Sequence, residues 1–127
     1  MEASSSSSLK SQAVAFLQQG NPTECIRCLQ SALVDNPQDG QAYSYLGAAQ
    51  SMAKNWEEAI PAFRRALELT PSGRAHYNLG LALESAGVLE EASSQFAGAL
   101  AMDATYQPAH DAFNRATQAR MRTCGLR

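Results

Sequence analysis

Apolar and polar positions along the chain recur with a helical period and, over longer distances, with a second one. In the stretch 57–68, Ala59, Phe63, Ala66 and Leu67 follow one another at steps of four, three and one. Those steps lie on one side of a 3.6-residue turn. Glu57, Glu58, Arg64, Arg65 and Glu68 fall on the other side. Just upstream, Tyr43, Leu46, Gly47 and Gln50 trace another stripe, with spacings of three and four from Tyr43 to Leu46 and Gly47. Two amphipathic helices of about a dozen residues each are predicted here.

The longer period appears when residues 6–39, 40–72 and 73–106 are laid under one another. Cys25, Ala59 and Ala92 align, and so do Leu29, Phe63 and Phe96. Ala32, Ala66 and Ala99 come next, followed at once by Leu33, Leu67 and Leu100, while Ala15, Ala49 and Ala82 coincide earlier in each unit. Cys25 to Ala59 is 34 residues and Ala59 to Ala92 is 33, so one residue is missing, and the turn after Pro71 is where it is expected. A pattern of small, aromatic, small and leucine kept in step through three units predicts a helical hairpin that stacks on copies of itself.

Polar punctuation marks the ends. Asn21 reads as an N-cap with Pro22 at the first helical position and Glu24 behind it, and Asn55 with Glu58 reads as a capping box. Val88 holds the same slot in the third unit and predicts a weaker helix start. Pro37 and Pro71 are expected to stop the second helices, and Pro61, beyond the first turn of its helix, to bend it on its outer face. The segment 107–122 begins like a fourth unit and turns polar at Arg115, Arg120 and Arg122, as an end-cap with its charges outward would.

Composition adds limits. A chain of 127 residues with 45% apolar and 17% charged residues suits one globular domain. A net charge of −2 supplies no basic field, so nucleic acid is not an expected partner. No apolar run approaches the length of a membrane span, the N-terminal stretch lacks the marks of a secretory signal, and three cysteines fit a reducing, cytoplasmic setting. The Ser-rich residues 1–6 are expected to be disordered and residues 123–127 to form a flexible tail, leaving 7–122 as a single domain.

Little in the sequence suggests catalysis. Cys25 and Cys28 form a CxxC, but within a helix and without a second pair to complete a zinc site, so packing is expected of Cys25 rather than redox or metal chemistry. His76 and His110 are 34 apart and occupy equivalent places, as flat packing groups that come within reach of each other. No nucleophile elbow, phosphate loop or metalloprotease motif occurs. Neither a cofactor nor an enzymatic activity is expected.

The recurring residues resemble the tetratricopeptide repeat (TPR) family, a 34-residue helix–turn–helix unit. Its pattern of aromatic, Leu-Gly, tyrosine, Ala, aromatic, small and Pro is met by Tyr43, Leu46, Gly47, Ala59, Phe63, Ala66 and Pro71, with Gln50 in the tyrosine place. The third unit matches at Leu79, Gly80, Ala92, Phe96 and Ala99. The first is degenerate, Gln12 and Ala13 replacing Leu-Gly. The resemblance implies an all-α, right-handed superhelix of about seven antiparallel helices, with Gly47 and Gly80 admitting a neighbouring backbone and Phe63 and Phe96 filling the spaces between units.

It also implies a non-enzymatic adaptor or scaffold that binds a peptide or helix of a partner protein on the hollow side, which the first helix of each pair lines. The groove positions are Lys10, Val14, Tyr45, Met52, Arg74, Tyr77, Asn78 and Leu81, with Glu84, Asp111 and Arg115 beyond them. Asn78 is expected to bond the ligand backbone. One TPR subfamily clamps the terminal carboxylate of chaperone tails with five residues. Lys10, Val14, Tyr45, Arg74 and Asn78 stand at those places, and two of the five fit, which speaks against a co-chaperone role. The alternative is a self-associating assembly protein, a homo-oligomer formed through stacked repeats or caps.

Overall fold

Helices stop where the pattern is punctuated. The computed structural model describes residues 5–125, and side chains within 7–123. Seven helices make up this stretch: α1 (Ser5–Gln18), α2 (Pro22–Asp35), α3 (Gly40–Met52), α4 (Trp56–Leu69), α5 (Gly73–Ser85), α6 (Leu89–Met102) and α7 (Gln107–Gly125). No strand occurs among the described residues. α1 begins at Ser5, inside the stretch expected to be disordered, and α7 runs three residues past the expected end of the cap at 122. Residues 1–4, 126 and 127 lie outside the described part.

The chain divides between Thr70 and Pro71 into two compact units. In the first, α1 packs on α2, α2 on α3 and α3 on α4; in the second, α5 packs on α6 and α6 on α7, with α7 also touching α5.

The hairpin turns share one geometry. After α1, Gly20 adopts φ +76, Asn21 N–H donates to Phe16 C=O at 2.8 Å and Gly20 N–H to Leu17 C=O at 3.1 Å. The same pair of bonds follows α3, to Gln50 and Ser51, and α5, to Leu83 and Glu84. Such a double closure satisfies carbonyls that a helix end would otherwise leave bare, and it requires a left-handed residue. Gly20 and Gly87 supply it without a steric cost, but the middle turn uses Lys54 at φ 61. A left-handed L-residue is about 1–2 kcal/mol less favourable than a right-handed one. Lys54 is exposed, so Lys54→Gly should raise the melting temperature by roughly 3–5 °C, read by thermal circular dichroism. An unchanged or lower value would mean that this turn carries no backbone strain.

The same turns explain why two expected caps do not form. Asn21 and Asn55 occupy the N-cap positions of α2 and α4, yet neither side chain bonds a helix N–H. Their backbones are held at ψ 79 and 72 by the preceding turn, and Asn55 instead donates its Nδ2–H to Gln50 Oε1 at 3.1 Å. Val88, at ψ 76, therefore starts α6 on equal terms with the asparagines. Side-chain caps appear at the other kind of junction. Asp39 accepts from Ala42 N–H and Ser72 from Ala75 N–H, opening α3 and α5. α2 and α4 end just before Pro37 and Pro71, α6 ends at the equivalent place without a proline, and α4 runs through Pro61 unbroken.

The packing scheme needs one correction. At Gly47 an added Cβ would lie 2.6 Å from the Phe63 ring, and at Gly80 2.5 Å from the Phe96 ring. Each glycine thus seats the aromatic ring of its own hairpin partner rather than a neighbouring backbone. Each ring lies against the opposite helix of its own hairpin. Cys25, Ala59 and Ala92 are fully buried, as the small-residue register requires. Ala15 is exposed although Ala49 and Ala82 are buried. Ala13 instead takes the glycine place and joins Cys25, Leu29, Ala42 and Ala49 in the first unit's core.

Candidate functional site

The first helices of the hairpins carry the expected groove residues, and each unit offers its own share. In the first, Lys10 and Val14 sit on α1, and Tyr45 and Met52 on α3. Met52 is exposed, Val14 is half-buried, and Tyr45 is partly buried against the core cluster. Lys10 is not a free cation. Its Nζ lies 2.9 Å from Asp39 Oδ2 and donates to Gln41 Oε1 at 3.0 Å, fastening α1 to the start of α3.

Burial alone would push the Asp39 carboxyl up. Hydrogen bonds from Lys10 and from the Ala42 and Gln41 N–H groups, with the lysine's charge, more than reverse that and hold it below its ordinary value. A carboxyl depressed in the folded state stabilises fully above its unfolded value, near 3.8, and loses that contribution as pH falls through the folded one. Asp39→Asn keeps a capping oxygen but not the charge. It should lower stability at neutral pH and flatten the fall in melting temperature below about pH 4. An acid limb as steep as in the parent would assign that stability to other carboxylates.

In the second unit, Arg74, Asn78 and Leu81 follow one another along α5 at steps of four and three, with Glu84 three further on. Arg74 is exposed, and neither it nor the half-buried Asn78 amide has a side-chain partner among the described residues. Tyr77 is a packing residue as well as a lining one. Its ring stands 5.9 Å from that of Phe96 and 5.4 Å, edge-on, from that of Tyr106. Two of the three cap arginines hold side chains of the preceding helices. Arg115 donates from Nε and Nη2 to the two Glu84 oxygens at 2.7 Å each, joining α7 to α5. Arg120 donates to Ser93 Oγ at 3.1 Å, joining α7 to α6. Glu84 and Arg115 stand out in the sequence as lining positions, but nothing in their spacing of 31 marks them as a pair.

The other candidate groups are accounted for by packing. Burial, and secondarily the neighbouring Cys28, raise the Cys25 thiol above its ordinary value. That keeps it protonated and a poor nucleophile. His76 donates Nδ1–H to Gln95 Oε1 at 2.8 Å and lies over Gly98, while His110 donates Nε2–H to Ala104 C=O at 2.7 Å. Each histidine is thus bound to its own neighbour instead of to the other. No group of three or more His, Cys, Asp or Glu side chains gathers for a metal among the described residues. None of their helices is long and apolar enough to cross a membrane.

Comparison with known proteins fits this architecture. Over 78 residues the chain is 42% identical to the peroxisomal targeting signal receptor of Candida glabrata and 41% identical to that of Saccharomyces cerevisiae. The match takes in 61% of this chain and 13% of either receptor, so the chain spans a small part of these relatives' length. Among solved structures, the first TPR domain of the human RPAP3 protein superposes with a TM-score of 0.90 at 19% identity, 98% of each chain being covered. The first TPR of Spaghetti (RPAP3) bound to an HSP90 peptide gives 0.87 at 22% identity, covering 91% of this chain and 92% of that one. The tetratricopeptide repeat model matches residues 11–73 and 53–107. With three helical hairpins in register and a seventh helix closing the second unit, the chain belongs to the tetratricopeptide repeat family.

Proposed function

We propose that the chain is a non-enzymatic interaction module that binds a peptide or helix of a partner protein along the faces carried by its first helices. Lys10, Val14, Tyr45 and Met52 border the face of one unit, and Arg74, Tyr77, Asn78 and Leu81 that of the other. The observation that carries this proposal is the Asn78 amide, half-buried beside Tyr77 and Leu81 with no side-chain partner among the described residues. A carboxamide can donate to and accept from an extended peptide backbone at once. The RPAP3 domain holds a peptide, and the receptors resembling this chain are named for a targeting signal. Both support peptide recognition here. With Lys10 committed to Asp39, a five-residue carboxylate clamp is not part of the proposal. A cytoplasmic setting and the absence of a nucleic-acid role belong to it.

Panning a random peptide library on the purified chain should enrich related sequences. Asn78→Ala should weaken the best of them about tenfold while far-ultraviolet circular dichroism is unchanged. Equal affinity for the variant would move the site off α5. Failure to enrich anything, together with sedimentation that depends on concentration, would favour self-assembly.

A further inference from the structure

Charge along the α5/α7 face is not distributed as the sequence suggests. The sequence places two cations there, Arg74 and Arg115, and two acids, Glu84 on α5 and Asp111 on α7. The structure pairs Glu84 with Arg115, while Asp111 accepts from Gln107 on its own helix. Both Glu84 oxygens are taken by Arg115 at 2.7 Å, and two parallel N–H···O bonds are the strongest form of such a pair. The acid is the more enclosed partner, its side chain 19% exposed, whereas that of Arg115 is 52% exposed. The guanidinium therefore stays at the surface with its charge compensated from below. Tyr77 and Asp111 also act on it. Arg74, about ten residues up the same stripe, has no such partner among the described residues.

We propose that Glu84 is the specificity-setting residue of this face: by masking Arg115 it leaves Arg74 as the cation that an acidic group on the ligand meets. This deepens the peptide-binding role proposed above and rests on it. The ligand fitted by this arrangement carries one acidic group, placed at the start of α5, and a neutral or apolar stretch alongside Leu81 and Arg115. A second acidic residue beside Arg115 would gain little, because the guanidinium is already neutralised and would have to leave Glu84 uncompensated.

Removing either partner should shift the preference in opposite directions. Glu84→Gln keeps the shape and removes the carboxylate paired with Arg115, leaving it only the influence of Asp111, so peptides panned on it should gain an acidic residue relative to those panned on the parent. Between matched peptides differing in that one residue, the acidic one should bind about two- to fivefold more tightly, and the margin should shrink with added salt. Arg115→Gln bares the Glu84 carboxylate and should favour a basic residue at the same place. If the pair only braced α7, both variants would lower the melting temperature and neither would change the charge of the selected peptides, which would overturn the proposal. A parent protein that enriches no peptide would remove the binding role itself and this inference with it, an outcome distinct from enrichment with unaltered charge.

Discussion

Phe96→Ala should cost about 3–5 kcal/mol of folding free energy, read by urea denaturation. The ring is fully buried, lies over Gly80 and packs beside Tyr77, so truncation leaves a void in a close-packed interior. The diagnostic result comes from the glycine opposite. In the parent, Gly80→Ala would drive a Cβ to 2.5 Å from the Phe96 ring edge, and an enclosed ring has nowhere to move. The expected loss is about 1–3 kcal/mol. With Phe96 already truncated that clash is gone, and alanine is the better helix former by about 1 kcal/mol. Gly80→Ala should then stabilise. If the substitution has the same sign in both backgrounds, the ring does not exclude the side chain.

Leu29→Ala in the first unit should cost about 2–5 kcal/mol. Leu29 is fully buried among Ala13, Cys25, Ala42 and Ala49, with Phe16 and Tyr45 at the edge of the same cluster. Small neighbours of this kind have little reach with which to refill the space. Val34, on the same helix, is 82% exposed, and Val34→Ala should change stability by no more than about 0.5 kcal/mol. Stability in repeat proteins is carried by each unit and its nearest neighbours. Hydrogen exchange in Leu29→Ala should therefore quicken most in α1–α4 and least in α5–α7. Uniform loss of protection along the chain would show the two units to unfold as one.

Much of the fold was legible because the residues that set it also set the period. Cys25, Ala59 and Ala92 keep step since each is fully buried, in a place filled by a small side chain every time. The one-residue difference between units is likewise visible in the sequence, and the structure puts it in the loop 70–72, where the other hairpin-to-hairpin loops, 36–39 and 103–106, are one residue longer. The caps at Asp39 and Ser72 were also within reach, as each polar residue stands directly before a helix-opening glycine. Lys54 was not. A lysine gives no sign of a positive φ, and only its place 34 residues after Gly20 and 33 before Gly87 hints at it. Nor did the sequence show which groove charges were already spoken for. Lys10–Asp39 and Glu84–Arg115 form across separations of 29 and 31 residues, and periodicity says which face a residue occupies, not what it holds.

The two kinds of connection have unequal freedom. Each turn inside a hairpin is closed by two backbone bonds around a single left-handed residue, so adding one amino acid there would rotate the following helix out of step with its partner. The links after α2, α4 and α6 carry no such double closure, and natural length variation already falls among them. Grafted tags or reporter segments belong in those links, and the hairpin tips should be left as they are.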